Sequence, residues 1–82
     1  MIAEISVRLR KNILDPAGQA TAQTLNAMGF AQVQDVRIGR LIEVTLANDT
    51  DAAQAESMAQ AMGERLLANG VIEDFSVHIR KA

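Results

Sequence analysis

The chain has 82 residues and a mass of 8.8 kDa, which is length for one domain with one small core. With 49% hydrophobic and 22% charged residues it lies in the globular range, away from the low-hydrophobicity, high-charge composition of disordered chains. Eight basic against ten acidic side chains give a net charge of −2, the wrong sign for a domain that neutralises phosphates, and the absence of cysteine removes disulfides, thiolate metal sites and a cysteine nucleophile.

The apolar content is light. Fourteen residues are alanine, Phe30 and Phe75 are the only aromatics, and there is no Trp or Tyr. A core in a chain of this size supplies only ~3–5 kcal/mol without a staple, so self-association as a homodimer or a dimer of dimers is expected. The charge-free stretch from Pro16 to Gln34 carries Gln19, Thr21, Gln23, Thr24, Asn26 and Gln32 and so does not read as a membrane span. The N-terminus alternates Glu4, Arg8 and Arg10 with apolar residues, unlike the apolar run of a signal peptide. The expectation is one domain over residues 1–82, cytoplasmic, with neither nucleic acid nor membrane as partner.

From Ala3 to Leu9 the odd positions are apolar and the even ones polar, the period of a half-buried strand. Asp15-Pro16 then supplies an N-cap and a proline at the first helical position, predicting a helix that ends at Met28. Its inward stripe would be Ala17, Ala20, Thr21, Thr24, Leu25 and Met28, with Gly29 in the left-handed conformation and Phe30 folding back on Leu25. Val33 and the pair Val36, Ile38 differ in parity, which predicts a second strand that begins near Gln34 or contains a bulge. Gly39-Arg40 fits a two-residue hairpin turn into a third strand carrying Ile42, Val44 and Leu46. Asp51, with Gln54 three residues on, caps a second helix whose apolar stripe is Ala55, Met58, Ala59, Met62 and Leu66, closed by Asn69-Gly70. Phe75, Val77 and Ile79 alternate in a last strand. The order β-α-β-β-α-β describes an α+β, two-layer sandwich: a mainly antiparallel sheet with both helices on one face.

Catalytic constellations are hard to assemble from these residues. His78 is the only histidine, and its parity with Ser76 and Arg80 puts it on the outward strand face without the partners of a triad or metal site. Ser6, Ser57 and Ser76 lack a nucleophile elbow. Glu73 and Asp74 are adjacent and would point to opposite faces of a strand, a poor geometry for one metal ion. The five glycines are too dispersed for a dinucleotide or phosphate loop. No catalytic residue and no metal site is therefore assigned. Asp35 and Arg37 share one strand face, either as a solvated ion pair or as a patch that meets a partner.

Three blocks carry a family likeness: Leu14-Asp15-Pro16-x-Gly18, the run from Val33 to Arg40, and Leu66-Leu67-Ala68-Asn69-x-Val71-Ile72-Glu73-Asp74. Together they resemble the PurS family, small subunits of phosphoribosylformylglycinamidine synthase, with Gly70, Arg40 and Phe75 as departures from the family's more common proline, lysine and tyrosine. The resemblance implies a non-catalytic subunit of an ATP- and glutamine-dependent amidotransferase of purine biosynthesis, which converts formylglycinamide ribonucleotide to its amidine. It implies as partners a second copy, a large synthetase subunit that holds ATP and Mg²⁺, and a separate glutaminase subunit, the chain bridging these and assisting ammonia transfer while binding no cofactor itself. Partner contacts are expected within the matching blocks, at Asp35, Arg37, Gly39, Arg40, Asn69 and Glu73.

The rival class is an ACT-like regulatory domain that binds a small molecule between subunits. A glycine-centred strand-helix turn would favour it, and Asp15-Pro16 stands there instead. An acylphosphatase-like hydrolase would need a phosphate loop beside Arg10 and Asn12, and RNA binding would need aromatics on the sheet.

Overall fold

The computed structural model describes residues 1–81. Its elements are β1 (Ile2–Leu9), α1 (Pro16–Ala27), β2 (Arg40–Thr45), α2 (Ala52–Met62), a π-helical turn (Gly63–Leu67) and β3 (Glu73–Arg80). The strands form one antiparallel sheet in the order β2-β1-β3, so the fold is of the expected α+β class.

The most apolar alternation in the chain occupies the central strand. Ile5 of β1 lies between Ile42 of β2 and Val77 of β3, and these rows make one apolar face. α2 packs on that face over β1 and β3. Ala3, Ile5, Val7, Ala55 and Ala59 are fully buried, and only Ile5 and Val7 among them are large. The alanines let the helix approach closely, but they contribute little volume. On the other face Glu4 lies in register with Glu43 on one side and His78 on the other. Two carboxylates opposite each other repel, and Arg80 offsets this by reaching Glu43 at 2.6 Å and Glu4 at 3.3 Å. His78 is exposed there, as its parity requires.

Three expectations need correction. Residues 33–38 form no strand, and Gly39-Arg40 makes no hairpin: three strands stand where four were expected. The Ile38 N–H, which a ladder would have used, donates to Asp15 Oδ2 at 2.8 Å. Gly39 lies so close to the Val7 carbonyl that a Cβ there would overlap it, and the segment thus leads straight into β2 at the end of β1.

Second, α1 does not lie broadly on the sheet. Only Gly18 in it is buried, and the stripe from Ala17 to Met28 is left without a sheet to cover. The molecule measures 50 × 28 × 14 Å, with a radius of gyration of 16.0 Å. A compact chain of this length would have about 12 Å, so α1 projects as an arm. Its end forms as read from sequence: Gly29 has φ 106° and the Phe30 N–H donates to the Leu25 carbonyl at 3.0 Å.

Third, Leu66 is 82% exposed instead of continuing the stripe of α2. The π-helical turn advances by fewer degrees per residue than an α-helix, which swings Leu66 outward and packs Leu67 against the core. The Phe75 ring sits against Gly63 where this turn begins.

Gly18 gives the sharpest test of this packing. Alanine there would gain ~1 kcal/mol of helix propensity, yet its Cβ would overlap the Val36 carbonyl oxygen, a backbone atom that has little room to move. Gly18→Ala should lower stability by about 2 kcal/mol in urea denaturation, whereas Gly70→Ala, with open space at its Cβ, should stay within about 0.5 kcal/mol of the wild type.

Candidate functional site

The matching blocks meet at the end of the sheet where β1 stops and β2 and β3 begin, in two polar clusters. The first is a junction built on Asp15, only 5% exposed. Asp15 caps α1 by accepting from Gly18 N–H at 2.9 Å through Oδ1, while Oδ2 accepts from Ile38 N–H. Beside it the Arg37 guanidinium donates to the carbonyls of Arg10 and Ile13, each at 2.8 Å. One carboxylate and one guanidinium therefore tie the β1–α1 loop to residues 36–38. Arg37 does not pair with Asp35 in an ion pair among the described residues, and Asp35 stands exposed outside the junction.

The second cluster is a corner that spans the sheet. Arg40, opening β2, reaches Glu73, opening β3, at 2.8 and 3.3 Å, and donates to the Leu67 carbonyl at 2.6 Å. Glu73 also accepts from Asn69 N–H at 2.7 Å, and the Asn69 side chain accepts from Val71 N–H at 3.0 Å. The same guanidinium thus satisfies the end of the π-helical turn and the start of β3. Arg10 joins the two clusters: its carbonyl accepts from Arg37, while its guanidinium donates to the Gly70 carbonyl at 2.6 Å and lies 3.7 Å from Asp74.

Of the six residues singled out from sequence, the structure thus brings Arg40, Asn69 and Glu73 together and places Arg37 in the junction. Gly39 serves a close backbone approach, and Asp35 remains apart. What sequence reading missed is the second oxygen of Asp15 and the role of Arg10. A signal for the first was present, since glycine in the first turns of a helix is costly unless another backbone must come near it.

Beside the corner is an open depression of about 490 Å³ lined by Arg10, Glu64, Glu73, Asp74 and Phe75 among others. Its polar groups are carboxylates and one guanidinium, already engaged with each other in part. Glu73 turns to Arg40 and Asp74 to Arg10, as alternation along a strand requires, and no set of three His, Asp or Glu suited to a metal ion is found among the described residues. The arrangement can position backbone and present a surface.

Backbone N–H groups of Ile38 and Gly18, with Arg37 nearby, hold the Asp15 carboxyl below the usual carboxylate range. Arg40 and the Asn69 N–H do the same for Glu73. A carboxylate with a lowered folded-state pKa contributes stability that is fully present above its unfolded value, about 4, and is lost as pH falls through the folded value. Acid should therefore loosen the junction and the corner. In Asp15→Asn with Glu73→Gln, thermal scans from pH 7 down to pH 2 should show a flatter loss of Tm than in the wild type; equal slopes would contradict the assignment. Arg37→Ala should cost about 2 kcal/mol in urea denaturation, because two carbonyls lose a charged donor. Arg37→Lys should recover part of that, since an ammonium lacks the guanidinium's fork.

The whole chain resembles known proteins. Residues 2–81 match the PurS family model, described as phosphoribosylformylglycinamidine (FGAM) synthase. The phosphoribosylformylglycinamidine synthase subunit PurS of Bacillus subtilis is 38% identical over 78 residues, covering 95% of this chain and 90% of its own. Among solved structures, Methanocaldococcus jannaschii PurS, one of the subunits of formylglycinamide ribonucleotide amidotransferase in the purine biosynthetic pathway, superimposes with a TM-score of 0.85 at 27% identity, over 99% of this chain and 96% of that one. A chain in the structure of PurLQS from Thermotoga maritima does so with a TM-score of 0.77 at 25% identity, over 95% and 96%. These likenesses support the synthase-subunit reading and not the ACT-like alternative. The chain belongs to the PurS family, subunits of FGAM synthase in purine biosynthesis.

Proposed function

We propose that this chain acts as a non-catalytic, homodimeric subunit that bridges the large synthetase and the glutaminase of FGAM synthase and helps ammonia pass between them. The single observation that carries the reading is the whole-chain likeness to a chain of PurLQS, in which the coverage is nearly complete on both sides. ATP and Mg²⁺ are assigned to the synthetase, ammonia release to the glutaminase, and the complex to the cytoplasm. No helix among the described residues is long and apolar enough to cross a membrane.

Exposure and internal bonding favour some of the six candidate residues as partner contacts over others. Arg37 and Gly39 serve the chain's own backbone. Asp35 is exposed, and Arg40 and Asn69 present exposed surface at the corner, so these three are the proposed contacts, with Glu73 holding Arg40 in place. Asp35→Lys should leave Tm unchanged and slow glutamine-dependent synthesis at limiting subunit concentration.

Reconstitution tests the assignment. The purified chain alone should turn over neither glutamine nor ATP, and adding it to synthetase and glutaminase should raise glutamine-dependent FGAM formation from background to sustained turnover. Full glutamine-dependent turnover by the other two subunits without this chain would refute the bridging role, as would growth without purines of a host from which its gene is deleted.

A further inference from the structure

Positive charge gathers at one end of an acidic molecule. The chain carries a net charge of −2, yet Arg8, Arg10, Lys11 and Arg37, half of its eight basic side chains, meet where β1 ends and Arg37 ties down the loop that follows. A depression of about 140 Å³ opens there, lined by Arg8, Leu9, Lys11, Arg37 and Asp74.

These cations are held in place more than they are neutralised. The Arg8 stem lies against Gly39, so closely that a Cβ on that glycine would press on the Arg8 Cγ. Arg37 uses its Nη2 on the carbonyls of Arg10 and Ile13 and keeps Nε and Nη1 without a hydrogen bond among the described residues. Neither Arg8 nor Lys11 forms an ion pair among them. The carboxylates close by are engaged elsewhere: Asp15 with Gly18 and Ile38, Glu73 with Arg40, and Asp74 with Arg10 at 3.7 Å. Like charges around one hollow repel each other, and an anion entering it relieves that repulsion.

The donor set decides which anion fits. Phosphate sites are typically cradled by backbone N–H groups at a helix start, but here the Gly18 and Ile38 N–H groups are given to Asp15. Neither Phe30 nor Phe75, the only aromatics, lines the depression, so a nucleotide base has no ring to stack on. Guanidinium groups with free N–H donors match a carboxylate, and Asp74 in the wall suits a singly charged group better than a phosphate dianion. On a chain of negative net charge, one positive hollow also fixes the orientation in which an acidic partner can approach.

We propose that the hollow between Arg8, Lys11 and Arg37 receives an aspartate or glutamate side chain from an acidic surface segment of another synthase subunit. The contact rests on the bridging role proposed above and adds Arg8 and Lys11 to the residues that perform it.

The test uses the full-length double variant Arg8→Gln/Lys11→Gln, which leaves the strut Arg37 untouched. Both changes are on exposed side chains, so Tm should stay within about 4 °C of the wild type. Binding to the purified synthetase and to the purified glutaminase is measured by fluorescence anisotropy at about 50 mM and about 500 mM salt. The variant should bind one of the two at least tenfold more weakly at low salt, and the difference should shrink at high salt. Arg8→Lys/Lys11→Arg, which keeps the charges, should bind within threefold of the wild type. Equal binding by the neutral variant, a deficit of the same size at both salts, or loss of binding in the charge-preserving variant would each overturn the proposal. So would inorganic phosphate that raises the Tm of the wild type, and not of the neutral variant, above that in chloride of equal ionic strength, because the hollow would then hold a free anion. If the wild type binds both subunits and the neutral variant does so equally well, this contact alone falls; if the wild type binds neither, the bridging role falls with it.

Discussion

The absent second strand and the projecting helix both follow from what the carboxylate of Asp15 binds. Its two oxygens take N–H groups from two different segments, Gly18 at the start of α1 and Ile38 just before β2. A residue that only capped a helix would leave residues 33–38 free to pair as a strand. Here the N–H that a ladder would need is already committed, and Arg37 adds two charged hydrogen bonds to the preceding loop. The junction therefore replaces a strand with a strut, and the strut points α1 away from the sheet.

The energetic consequence is a core too small for the chain. Three of its five fully buried apolar residues are alanine, and the single helix on the sheet leaves one side of the apolar face uncovered. Burial scales with size, and a chain this short that also extends one helix into solvent is left with little surplus. The polar clusters hold backbone in place and add modest stability, since exposed ion pairs such as Arg10–Asp74 contribute under ~1 kcal/mol. What is missing is apolar area, and a partner surface is where it is available. The fold is rigid where the strands are locked together and leaves apolar surface uncovered on the β2 side of the sheet.

Much of this was legible in the residues. The alternations of Ala3–Leu9 and Phe75–Ile79, the Asp15-Pro16 and Asp51 caps and the left-handed Gly29 all act through local backbone physics, and each appears in the structure. The missing strand was not legible, because Val36 and Ile38 have strand-like composition and only a distant carboxylate decides that their N–H groups pair elsewhere. Nor was the rotation of Leu66, which depends on one π-helical turn that helical periodicity does not anticipate. Of the candidate contacts, Asp35 and Arg37 stand out by shared strand parity and charge and the others only through a likeness; their sorting into Arg37 as a strut, Arg40 and Glu73 as a corner and Asp35 as open surface required coordinates. Helix α1 was predicted correctly as a helix and wrongly as a layer of the sheet, since amphipathic spacing tells which face wants covering but not which molecule covers it.

The central claim is that the pinned arm leaves the lone chain incomplete, and amide hydrogen exchange across α1 tests it most directly. Measured on the full chain from dilute to concentrated solution, protection of residues 20–28 should rise steeply with concentration while that of β1 changes much less. Strong protection of the arm at every concentration would mean that the chain covers α1 by itself, and would contradict the account.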